Sequence, residues 1–285
     1  IYGVYRPSLA EDWDVNEDQT VWTFKIREGV KWQYYDGTQY GDEYVKAEDW
    51  VTSAKWILDP ANTARTADLL FDMVGAEDYY LALEAGQPAD WETVGIKAIS
   101  EYELQYTLTQ PTSYFMTMLG YGVFAPMSRE YYESMGGKFG ADFDASAADY
   151  KYGKGPDSIA YNGPFVITNY TANNIIAFEA NKSYWNKDGN NLKSFTYMYT
   201  DGTDHQKMYD DFFNGVVDTL GMTTQRVEIA KAKGTFDTYA YVSETDATTY
   251  CGFLNLYRTA FANYNDANVG ITPKSEEDIE RGKAA

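Results

Sequence analysis

Apolar and polar residues alternate with a period of two early in the chain. Trp22, Phe24 and Ile26 are interleaved with Thr23, Lys25 and Arg27, the pattern of a half-buried strand with one apolar and one wet face. Residues 15–18 read as the end of a preceding strand and a turn, so the pair predicts a hairpin. Glu28-Gly29 ends the strand, Val30 and Trp32 start another extended piece, and Asp36-Gly37 supplies a turn. From Ala47-Glu48-Asp49 the period lengthens. Trp50, Val51, Ala54, Ile57 and Leu58 recur at helical spacing, with acids in the first turn and Asp59-Pro60 as the stop.

The pattern continues along the chain. Residues 94–99 and 104–108 predict a second hairpin about Ser100-Glu101, with Leu104, Tyr106 and Leu108 on one face. Short helices are predicted over 114–119 and 128–135, the second closed by Gly136-Gly137. Residues 138–158 are rich in Gly, Ala, Asp and Lys with little periodicity, which predicts a crossing between two domains. Strands follow at 165–170, 175–179 and through the alternating Phe195, Tyr197 and Tyr199. A helix is predicted over 204–214 with Met208, Phe212 and Phe213 as its inward candidates, and a smaller one over 225–233. Residues 235–242 and 249–257 read as strands, and 260–285 as a polar, acidic tail.

Composition narrows the function classes. The 285 residues allow one large domain or two smaller ones. With 23 basic residues against 43 acidic ones the net charge is −20, which repels nucleic-acid phosphates and anionic lipid. The one cysteine, Cys251, excludes an internal disulfide and a Cys-based metal site. The one histidine, His205, falls in a helix first turn without a second imidazole and reads as a solvent-exposed helix residue. Asp142, Asp144 and Ser146 begin like a calcium loop, but the sixth position lacks glycine and Gly153 stands where the bidentate Glu belongs. No phosphate loop and no nucleophile elbow is present. No apolar run approaches a membrane span. A secreted glycosidase would need only two carboxylates and aromatic platforms, yet no pair stands out from the acidic background.

An ordered set of short segments carries a resemblance. Pro7, Leu9-Ala10-Glu11, Trp13, the strand ending in Arg27, Gly29, Lys31-Trp32, Asp36-Gly37-Thr38 and Ala47-Glu48-Asp49 follow one another. Later come Gly75-Ala76-Glu77, Asn162-Gly163-Pro164, Asn181 with Tyr184-Trp185, Gly215 with Asp218, and the strand end 253–258. This order resembles the family 5 extracellular solute-binding proteins of ABC importers, the oligopeptide- and dipeptide-binding group. Residues 33–35 and 39–46 exceed the usual spacers, both in turns where insertions are tolerated.

The resemblance implies an α/β, periplasmic-binding-protein-like (type II) fold. It implies a fragment: a small additional domain of hairpins and helices at 1–150, the middle part of lobe one with a mixed sheet at 151–258, and 259–285 leading to an absent second lobe. It further implies a monomeric, non-enzymatic extracellular or cell-surface protein, lipid-anchored through a cysteine preceding this sequence, or periplasmic in a Gram-negative organism. Such a protein captures short peptides by closure of two lobes and delivers them to a membrane permease, without cofactor, metal or nucleic acid; some members bind oligosaccharides instead. Tyr250, Phe253 and Asn255 are the expected surviving wall of the cleft, against the plainer expectation that Tyr250 and Phe253 are core.

Overall fold

The computed structural model describes residues 5–242. The chain divides into two compact units at Thr203/Asp204. In the first unit the alternating residues form β1 (Ala10–Val15) and β2 (Val21–Ile26), an antiparallel hairpin with Trp13 opposite Phe24. The second hairpin is β5 (Ile96–Ser100) and β6 (Glu103–Thr107). β2 pairs with β6 in the register Phe24–Leu104, so the two hairpins merge into one sheet of order β1-β2-β6-β5. This register puts Phe24, Ile26, Leu104 and Tyr106 on one buried face. Lys25 points to solvent, and Thr23, half-buried, accepts a hydrogen bond from Gln105 at 3.2 Å.

Helix α1 (Glu48–Ile57) belongs to the same core, with Trp50, Val51, Ala54 and Ile57 buried. It stops where expected: Pro60 cannot continue it, and the Asp59 side chain accepts from the Ala61 N–H at 3.0 Å. Trp50 Nε1 donates to the Phe124 carbonyl at 2.8 Å, and Phe115 and Phe124 meet Tyr106 at 5.6 and 6.0 Å. A short hairpin, β3 (Lys31–Gln33) and β4 (Gln39–Tyr44), stands beside this core. Helices α2 (Ala76–Glu84), α3 (Phe115–Met118) and α4 (Arg129–Ser134) complete this part, the last capped by Ser128 Oγ. Gly136 ends α4 at φ +79°, and a Cβ there would lie 2.3 Å from the Asp149 carbonyl oxygen, so both conformation and space demand glycine.

Residues 138–158, expected to form the crossing between domains, lie inside the first unit. Buried tyrosines hold them there. Tyr132 packs with Tyr150, Phe139 and Tyr152 in a second small core, and its hydroxyl donates to the Lys138 carbonyl at 2.7 Å. The Tyr131 hydroxyl donates to the Asp157 carbonyl at 2.8 Å. The chain then forms the antiparallel sheet β7 (Phe165–Thr171), β8 (Ile175–Ala180) and β9 (Ser194–Met198). Every strand pairing among the described residues is antiparallel; the sheet expected to be mixed over 151–258 is antiparallel where it is described, because the turn at 172–174 folds β8 straight back on β7.

The second unit opens with α5 (His205–Phe213), whose Asp204 side chain accepts from the Lys207 N–H at 2.8 Å. Its buried residue is Tyr209, bonded to Thr235 Oγ1 at 2.7 Å, while Phe213 is 41% exposed. Helix α6 (Thr224–Ala232) follows, with Arg226 buried and Nη1 donating to the Gly221 carbonyl at 2.6 Å. The strand expected over 235–242 is instead a turn of helix, α7 (Phe236–Tyr239). Gly234 at φ +69° reverses the chain, and Thr235 N–H returns to the Ala230 carbonyl at 2.9 Å. Phe236 and Tyr239 stand at i, i+3, neighbours along one face of that helical turn.

Candidate functional site

Two polar knots gather several of the residues that carry the sequence resemblance, Trp32, Asp49, Gly163 and Asn181 among them. In the first, Trp32 Nε1 and the Lys46 backbone N–H both donate to Asp49 Oδ2 at 2.9 Å. The Lys31-Trp32 and Ala47-Glu48-Asp49 segments thus meet on one carboxylate. Asp49 is only 8% exposed. Burial pushes its pKa up to about 7, against the two accepted hydrogen bonds, which favour the ionised form.

The second knot joins Gln33 and Asn181, 2% and 3% exposed. Asn181 Nδ2 donates to Gln33 Oε1, and to the Gly163 carbonyl at 2.9 Å. Gln33 Nε2 donates to the Ser183 carbonyl at 2.9 Å, and the Ser183 N–H donates to Asn181 Oδ1 at 3.0 Å. Gln33 and Tyr161 also exchange backbone hydrogen bonds at 2.9 and 2.8 Å. Close by in sequence, Arg27 lies 4.0 Å over the Trp185 ring and pairs with Glu11 at 3.0 Å. These motifs therefore fasten segments far apart in sequence. Asn181→Ala strands Gln33 Oε1, the Gly163 carbonyl and the Ser183 N–H, and should cost about 2–3 kcal/mol. A denaturant midpoint that gives a loss below about 0.5 kcal/mol, the range of surface sites, would contradict the knot.

Open space lies elsewhere in the first unit. A cavity of about 490 Å³ is walled by Trp13, Phe24, Trp50, Tyr106 and Tyr121, with Asn162 at one side. Asn162 Nδ2 is buried without a hydrogen-bond partner among the described residues. Aromatic walls with one unpaired amide donor suit an apolar group carrying a carbonyl acceptor. The sequence marks Asn162 only as the first residue of the Asn162-Gly163-Pro164 motif, with no sign that its amide is left unpaired.

Tyr250, Phe253 and Asn255, and with them Cys251, lie outside the described residues. His205 sits in the first turn of α5, half-buried rather than exposed, with Nδ1 buried and unpartnered among the described residues. The calcium-like segment is a local turn. Asp144 Oδ1 accepts from the Ser146 N–H and hydroxyl at 2.8 and 2.6 Å, and these bonds hold its pKa below the ordinary value. Among the described residues no group of three or more His, Cys, Asp and Glu could hold a metal ion, and no helix is long and apolar enough to cross a membrane.

Known proteins resemble this chain in sequence and fold. The family described as bacterial extracellular solute-binding proteins, family 5 Middle, matches residues 4–269. The oligopeptide-binding protein SarA of Streptococcus gordonii is 31% identical over 277 residues, which is 96% of this chain and 39% of SarA. AmiA of Streptococcus pneumoniae, also an oligopeptide-binding protein, is 36% identical over 215 residues, 75% of this chain and 30% of its own length. Among solved structures, Listeria monocytogenes OppA bound to peptide superposes with a TM-score of 0.64 at 26% identity, over 80% of this chain and 40% of that one. The chain thus spans about two-fifths of the length of SarA.

Proposed function

Because this chain belongs to the bacterial extracellular solute-binding proteins of family 5, we propose that it forms part of a substrate-binding component that captures short peptides outside the cell membrane and passes them to an ABC permease. The observation that carries this reading is the match over residues 4–269 together with relatives named as oligopeptide-binding proteins. The mechanism is hinge closure of two lobes over the ligand. The peptide main chain is held by strand-like hydrogen bonds, and its side chains enter wet pockets that adapt to different residues. Tyr250, Phe253 and Asn255 form part of the cleft wall in this reading. The cavity beside Asn162 supports it, since its walls suit an apolar side chain and its free donor a carbonyl.

Closure takes ligand contacts from both lobes. A peptide held on one side only keeps much of its backbone in water, where its hydrogen bonds net little, while ordering it carries the full entropic cost. Calorimetric titration of this chain and of full-length SarA with one mixed pool of short peptides tests the reading. These 285 residues by themselves, which match about two-fifths of SarA, should bind roughly hundredfold or more weakly than SarA, a difference of about 2.7 kcal/mol. Equal affinity would put the whole site within these residues and overturn the two-lobed account.

A further inference from the structure

Residues from α1, α2, the 86–91 loop, α4 and the 139–143 turn line an open cavity of about 1020 Å³ in the first unit. Two cations line it, and each rests on an aromatic ring. Lys55 Nζ lies 5.1 Å from the centroid of Trp91, and Arg129 Cζ lies 5.7 Å from that of Phe139. Tyr79 packs edge-on against Trp91 at 5.2 Å. In a chain with 43 acidic and 23 basic residues, cations facing a cavity would ordinarily find carboxylates. Lys55 has no carboxylate within 4.0 Å among the described residues. Arg129 spends Nε on Glu133 at 2.7 Å, one of the five donors of its fork.

The acids on the cavity wall are Asp59 and Glu84. Asp59 is buried, and its two oxygens accept from the Ala61 and Gly140 N–H groups, each at 3.0 Å, so the fold already uses them. Glu84 is exposed to solvent. The ring quadrupole attracts a cation far more weakly than a carboxylate does, so each cation keeps most of its capacity for an anion. The rings beside it offer apolar area at little entropic cost.

We propose that this cavity binds a small carboxylate with an aromatic or aliphatic body. The chemistry is that of an N-acylated amino acid, shared by the C-terminal residue of a peptide. Lys55 and Arg129 hold the carboxylate, and Trp91, Tyr79 and Phe139 take the body. The proposal does not depend on peptide capture by lobe closure, because its residues lie between 55 and 143 and its test reads Trp91 directly.

The test uses the full chain labelled with 5-fluorotryptophan, with the Trp91 fluorine resonance assigned from Trp91→Phe. Titration with N-acetyl-phenylalanine should shift that resonance saturably, while the corresponding amide should need about tenfold higher concentration or more, as expected when one charge-assisted contact is lost. Lys55→Met/Arg129→Met should abolish the shift, and Lys55→Arg, which keeps the charge, should retain it. Ala-Ala-Phe is titrated in parallel. Saturation by either acid supports the site, and the tighter of the two identifies the source. Equal binding of acid and amide, a Trp91 resonance unmoved by both acids at millimolar concentration, or undiminished binding by a folded double variant would overturn the proposal.

Discussion

Replacing Phe24 with Ala should lower the unfolding free energy by about 3–5 kcal/mol, the range for truncating a buried aromatic core residue. Phe24 is 4% exposed and stands where the two hairpins meet, opposite Trp13 on β1 and Leu104 on β6. Its ring touches Tyr106 edge-on at 6.0 Å and Phe115 at 6.5 Å. Few neighbours can collapse into the space, because both backbones beside it are fixed by strand pairing. Lys25→Ala, one position along and solvent-facing, is the control and should change stability by less than about 0.5 kcal/mol. Urea denaturation of both variants decides the matter, and comparable losses at the two positions would mean that the strand faces the other way.

Asp49→Asn should remove a pH dependence that the parent chain shows between about pH 4 and pH 7. The sign follows from protons. The folded carboxyl titrates near 7 and the unfolded one near 3.8. The folded state therefore binds the extra proton throughout that window. This contribution to stability is fully present below the unfolded value, declines as pH rises, and is gone above about 7. Its ceiling is about 4 kcal/mol, from about 1.4 kcal/mol for each tenfold step in proton affinity. An asparagine oxygen can still accept from Trp32 Nε1 and the Lys46 N–H, so the knot survives while the titration disappears. Glu43, whose pKa burial and Glu130 both raise, adds a slope of the same sign, so the informative quantity is the difference between parent and Asp49→Asn. Asp36, Asp144, Asp201 and Asp210 have lowered pKa values, and their contributions change only at lower pH. If the parent and variant curves run parallel from pH 4 to 7, Asp49 is ionised in the fold at all those values. Asp49→Ala also leaves the indole and backbone donors unpaired, and should be less stable than Asp49→Asn by about 1–3 kcal/mol at any pH.

The sequence alone determined those elements whose apolar positions report the local backbone. The alternation through Trp22, Phe24 and Ile26 is the strand β2, and Leu104 and Tyr106 share its buried face. The acids of the first turn and Asp59-Pro60 bound α1, and the ordered motifs pointed to the family that matches residues 4–269. Such signals are readable because a strand or an amphipathic helix must place its apolar residues at its own period. Residues 138–158 have no period and look like a linker. Their order comes from tyrosine side chains that find partners such as the Lys138 and Asp157 carbonyls only once the chain is folded.

Tertiary structure alone decided what the residues of the two knots and of the cavity do. Gln33 and Asn181 are 148 residues apart, and neither carries a local sign that its amide must satisfy the other. Asp49 reads as a favourable acid at a helix start. Its proton affinity comes instead from being enclosed, and burial is a property of the whole packed unit. The cations Lys55 and Arg129 are likewise unremarkable in a helix pattern. They face one cavity because the loop carrying Trp91 and the turn carrying Phe139 bring their rings to them. Periodicity encodes how a segment lies on the core, whereas pairing across a hundred residues depends on which loops close. That closure is fixed by the summed packing of the folded unit, and no short window of sequence contains it.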